Sequence, residues 1–149
     1  MSEHRVLLKW QRTSADFAYE NYNRDHTWAF DGGVSVHASA SPAYRGNPEC
    51  VDPEEALVAA LSSCHMLTFL AIASRKKLVV ESYEDDAVGY MEKNVEGKLA
   101  ITRCVLRPQI RFGGPTAPAA DEITKMHEHA HHECFIANSV RTQITVEPR

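Results

Sequence analysis

Two cysteines stand where side chains could do chemistry. Cys64 lies in the segment LSSCHML, and Cys134 ends the segment HEHAHHEC, residues 127–134, which carries four of the chain's eight histidines. Metal binding is one possibility. His127 and His131 are four residues apart and would share a helix face, with Cys134 one turn further on, an acceptable beginning for a zinc site. No fourth ligand is evident, and His129 and His132 would point elsewhere, so no metal is expected. Thiol redox chemistry is the other possibility. Only a thiolate is nucleophilic, and a free thiol with a pKa of about 8.5 is mostly protonated at neutral pH, so a reactive cysteine needs a cation beside it. The remaining cysteines have plainer readings, Cys50 as a surface thiol in a loop and Cys104 as a core residue in a strand.

Composition narrows the field. With 149 residues the chain is expected to fold as one domain, 1–149, with a core that needs no disulfide staples. Its 16 basic residues are scattered and outnumbered by 20 acidic ones, so no nucleic-acid footprint is present. The N-terminal MSEHRVLLKWQR lacks the pattern of an export signal, which implies a cytoplasmic protein whose thiols are kept reduced. Ala56–Ala73 is apolar enough to approach a membrane span, but two serines, a cysteine, a histidine and a threonine interrupt it, so a buried helix and no membrane association are expected.

The elements that must position the cysteines can be traced. Strand-like segments RVLLKWQR and TWAFDGGVSVHAS predict an N-terminal meander, followed by the Pro- and Gly-containing connection SPAYRGNPECVD. Asp52, Pro53 and Glu55 form the start signal of a first helix, as N-cap, first helical residue and the far side of a capping box. That helix should run to about SRKK, with Cys64 facing inward beside Leu57, Leu61, Leu67 and Ala71. LVVESYEDDAVGYMEK and GKLAITRCVLRPQIRF then read as a long hairpin. Apolar positions 123, 126, 130, 134 and 137 define a second helix with Cys134 on its buried stripe, and RTQITVEP a last strand. The order βββ-α-ββ-α-β is that of an α+β fold with mainly antiparallel sheets. Two inward cysteines on two helices are open to two readings, core packing or a transient redox pair.

At these residues the chain resembles a known family. DPEEALVAALSSCHML looks like the NPEE-L-AA-L-xC signature of the OsmC/Ohr thiol-dependent peroxidases, and AHHECFIANSV resembles their second motif, AHxxCPxSNA. The resemblance extends over the whole chain. It implies a protomer built around a buried central helix and intertwined as a homodimer with active sites at the subunit interface. Cys64 would be the peroxidatic thiol, Cys134 the resolving thiol, and Glu54, ten residues before Cys64, the carboxylate that holds a catalytic arginine. The segment YNRDH makes Arg24 that arginine, with Arg45 in AYRGN as the substitute. The substrate implied is an organic hydroperoxide. No bound cofactor is implied; an external dithiol, a lipoyl group or small thiol, serves as reductant.

Two departures and one geometric problem accompany the resemblance. After Cys134 the family's Pro and Ser are replaced by Phe135 and Ala137. His65, directly after Cys64, projects about 100° away and reads as a neighbouring core or interface contact. Ten residues of straight helix rise about 15 Å with a net rotation of about −80°, so Glu54 and Cys64 of one helix cannot share one arginine head group. Either the helix breaks or the partner chain completes the site.

Overall fold

The computed structural model describes residues 1–149, which divide into two compact units, Met1–Ala56 and Leu57–Arg149. The first contains an antiparallel meander of β1 (Val6–Lys9), β2 (His26–Phe30) and β3 (Ser35–Ala38), in register Val6↔Phe30 and His26↔Ala38. Gly33, at φ +83°, closes the β2–β3 turn by donating its N–H to Phe30 O, a conformation in which a Cβ would be strained. A 3-10 turn at Pro42–Tyr44 follows, and Gly46 passes so near Ala40 that an added Cβ would lie 1.4 Å from its carbonyl oxygen. Helix α1 (Pro53–Arg75) starts as its sequence predicts: Glu55 N–H donates to Asp52 Oδ1 at 2.8 Å and Asp52 N–H to Glu55 Oε2 at 3.2 Å, a reciprocal capping box.

In the second unit the rest of α1 is covered by β4 (Val79–Asp85), β5 (Val88–Lys93), β6 (Leu99–Leu106), β7 (Pro108–Gly113), α2 (Ala120–Glu133) and β8 (Gln143–Val146). The expected hairpin is present, but each arm is interrupted, at Asp86–Ala87 and at Arg107, so that β4 pairs with β7 in one sheet and β5 with β6 in another. Asp85 holds this bend, accepting from the Arg107 backbone N–H at 2.6 Å and from the Ser62 hydroxyl of α1 at 2.5 Å. β8 adds to β6 in parallel. Two apolar clusters result. Phe69, Ile72 and Ala73 pack with Met126 and Ala130 beneath β4 and β7, while Leu61 packs with Cys104 and Leu106 under β6 and β8. At Gly89 the strand comes so close to Val58 that a Cβ would lie 2.5 Å from its methyl group. α1 ends in a Schellman arrangement, with Lys77 at φ +61° and Leu78 N–H donating to Ala73 O.

Length and composition alone would let α1 cross a membrane. Its stripe Leu61, His65, Phe69, Ile72 and Ala73 is instead buried by this chain's own strands and second helix, the position of a core helix in an α+β fold.

Candidate active site

The buried ridge of α1 does not include Cys64. It runs Leu61, His65, Phe69 and Ile72, while Cys64 is only half-buried, Leu67 is 60% exposed and Ala71 is exposed. The expected inward face was thus off by about one residue, or 100° of helix. Alanine, leucine and cysteine surround both faces, so apolar character alone did not distinguish the packed stripe from its neighbour. Cys64 therefore stands at the flank of the core, where a small molecule can reach it.

Cys134 is buried, as expected, but it is not on the helix. α2 stops at Glu133, and Cys134 is its C-cap in an extended conformation, its N–H closing on His131 O at 3.3 Å. Residues 137–139 form a separate 3-10 turn, so the apolar period through 137 spans two elements. The Ala137 N–H donates to Cys134 Sγ at 3.4 Å. The structure brings the two thiols near each other, close enough for the Cys64 thiol to influence the ionisation of Cys134. Burial pushes the Cys134 thiol up, and the Cys64 neighbour adds to this, while the Ala137 and Ile136 N–H groups oppose it. Cys134 is consequently a neutral thiol at neutral pH.

A cavity of about 630 Å³ opens over Cys64. Leu67, Ala71, Ile72, Phe135 and Ile136 make its walls apolar, and Arg75, His129 and Glu133 are its charged or titratable lining. Phe135, which stands where the resembling motif has proline, is 81% exposed and lines this cavity.

The other predicted site residues belong to the first unit. Arg24 donates from Nη1 to Tyr22 O and from Nη2 to Tyr19 O, both at 2.7 Å, and its guanidinium lies 4.0 Å from the Tyr22 ring centroid. Trp10, through its indole N–H to Asn23 O, and Asn23, through its amide to Gln11 O, tie this loop to the chain leaving β1. The loop uses two of the guanidinium's five donors. Arg45 sits in the left-handed region at φ +64°, with its guanidinium 5.9 Å from the Tyr19 ring. Glu54 lies in the first turn of α1, and its Oε2 is buried without a hydrogen-bond partner. α1 is continuous from Pro53 to Arg75, so the helix break that would relieve the separation of Glu54 and Cys64 does not occur.

The histidine cluster is rearranged. Residues 127–131 spell HExxH, the pattern of a helical zinc site, so the sequence offers more for a metal than the His127–His131 spacing alone. His127, however, is turned into the core, where its Nδ1 lies 3.0 Å from Nε2 of His65 on α1 and its ring 4.4 Å from that of Phe69. No three His, Cys, Asp or Glu side chains converge as metal ligands would. Sequence reasoning had no signal for this pair, because the partners are 62 residues apart.

Comparison with known proteins places this fold. The chain belongs to the OsmC-like protein family, whose model matches residues 46–149. It is 50% identical to an OsmC-like protein of unknown function from Vibrio cholerae, with a TM-score of 0.97 and all of both chains covered. Structures named as organic hydroperoxide resistance proteins share the fold at lower identity. The one from Elizabethkingia anophelis is 17% identical with a TM-score of 0.70, over 99% of this chain and 94% of that one. For OhrB of Bacillus subtilis the values are 13% and 0.68, over 99% and 98%. No curated protein matches the chain.

Proposed function

We propose that this protein is a cysteine peroxidase that reduces organic hydroperoxides in the cytoplasm. The observation that carries the reading is the nearness of the Cys64 and Cys134 thiols beside an apolar cavity that opens over Cys64. Cys64 thiolate attacks the O–O bond, one oxygen and its proton stay on sulfur as a sulfenic acid, and the other leaves as an alkoxide that takes a proton from solvent to become the alcohol. Cys134 then attacks the Cys64 sulfur. The S–S bond forms, the S–O bond breaks, and water departs with the Cys134 proton. An external dithiol, a lipoyl group or small thiol, takes up the disulfide by exchange, becoming oxidised itself and restoring both thiols. The apolar walls formed by Leu67, Ala71 and Phe135 favour an alkyl or aryl hydroperoxide over hydrogen peroxide.

Arg24 supplies the cation that keeps Cys64 ionised, and Glu54 orients it through a bidentate pair. The buried, unpartnered Glu54 Oε2 is an acceptor suited to a guanidinium. Because α1 is unbroken, Glu54 and Cys64 of one chain serve different sites, which supports a homodimer in which each site draws on both protomers. Steady-state consumption of cumene hydroperoxide with dihydrolipoamide tests the reading. Wild type turns over and Cys64→Ser does not; equal rates for the two proteins would refute it.

A further inference from the structure

The buried histidine pair has a use that the peroxidase reading does not assign. His65 and His127 are 1% and 3% exposed, their rings lie within 7° of parallel with centroids 5.3 Å apart, and Nε2 of the first meets Nδ1 of the second at 3.0 Å. Two neutral imidazoles joined this way share one proton. Whichever ring donates, one donor and one acceptor are left over, and both His65 Nδ1 and His127 Nε2 are buried without a partner. Burial first, and then the neighbouring His127 and His131, push His65 down to about 4; burial likewise holds His127 at about 4, against the opposing pull of Asp85. The pair is therefore neutral in the working protein. A role in packing alone would be filled better by two phenylalanines, which leave no buried polar atom unsatisfied.

What the pair offers instead is direction. α1 and α2 are bridged by side chains more than by close backbone approach, and the apolar contacts of Phe69, Ile72 and Met126 can adapt to small shifts. A hydrogen bond between two planar rings cannot. His65 is covalently next to Cys64, so its position fixes that residue to within one helical step. His127 is two turns before Cys134, which is held to the helix end through His131 O. We propose that His65 and His127 are positioning residues, whose ring-to-ring hydrogen bond sets α1 against α2 so that the Cys64 and Cys134 sulfurs meet. The inference rests on the pair of thiols assigned above and deepens that reading.

The test measures the disulfide without peroxide. Reduced protein is equilibrated in glutathione buffers, where oxidised glutathione and the two thiols give the Cys64–Cys134 bond and two reduced glutathiones. His65→Leu and the ring-preserving double variant H65F/H127F should lower this equilibrium constant at least tenfold. His65→Gln, which places an amide near the Nε2 position, should retain it within threefold. In single-turnover reactions with cumene hydroperoxide, the double variant should form Cys64 sulfenate at near the wild-type rate and close the disulfide at least tenfold more slowly. Equal equilibrium constants in wild type and H65F/H127F would overturn the proposal, as would a loss in His65→Gln as large as in His65→Leu. Should the double variant not fold, the Gln and Leu comparison decides alone. A wild-type protein that forms the disulfide in glutathione but consumes no peroxide would refute the peroxidase reading and leave the positioning role standing.

Discussion

Acidification should destabilise this protein through the same two histidines. In the unfolded chain a histidine titrates near 6.5, whereas His65 and His127 are held at about 4 when folded. Below pH 6.5 the unfolded chain takes up protons that the folded one refuses, so stability falls as pH falls, down to about pH 4, and then levels off. Between pH 7 and pH 5 the loss is about 2 kcal/mol for each histidine treated alone. Taken together the two lose up to about 4 kcal/mol, the sum for independent titration. Urea unfolding followed by far-UV circular dichroism, at fixed protomer concentration, measures this. H65F/H127F should lose that much less stability between pH 7 and pH 5 than wild type, the remainder reflecting carboxylates and exposed histidines. An identical loss in the two proteins would refute the reasoning.

Cys134→Ser should stop at the Cys64 sulfenic acid and proceed to the sulfinic form under excess peroxide, visible as successive mass gains; unchanged chemistry would show that Cys134 resolves nothing. Arg24→Lys and Arg24→Ala should both slow peroxide consumption, and the alanine change should also raise the pH at which Cys64 is alkylated, whereas the same result from Arg45→Ala with Arg24→Ala silent would move the role to the substitute. Mixing Glu54→Gln with Cys64→Ser protomers should restore activity above that of the Glu54→Gln parent, since one site of each heterodimer is then intact. Phe69→Ala, at 0% exposure between both helices and the β4–β7 sheet, should cost about 3–5 kcal/mol in the same urea titration.

The sequence carried the fold further than it carried the site. Asp52, Pro53 and Glu55 announce α1 because a capping box is local, and it forms as spelled. The meander and the long hairpin were legible from alternation and turn residues, but the folding of that hairpin into two sheets was not, because it depends on Asp85 reaching Ser62, 23 residues away. The facing of Cys64 was misjudged because α1 is apolar nearly all round, and periodicity discriminates only when one face is polar. For α2 the stripe was legible through Met126 and Ala130, yet the C-terminus carries no glycine or proline to mark where the helix gives way at Cys134. The His65–His127 pair is a long-range contact between residues that read, alone, as a core or interface contact and as a possible metal ligand.

The central claim is that Cys64 and Cys134 form one redox unit. Whole-protein mass spectrometry of the reduced chain after one equivalent of an organic hydroperoxide addresses it directly, with Cys64→Ser and Cys134→Ser as controls. The account predicts a loss of about two mass units, from two thiol protons surrendered to one disulfide, with peptide mapping placing the bond between Cys64 and Cys134 and both controls unable to form it. A disulfide through Cys50 or Cys104 with Cys64 still free, or no oxidation at all, would contradict it.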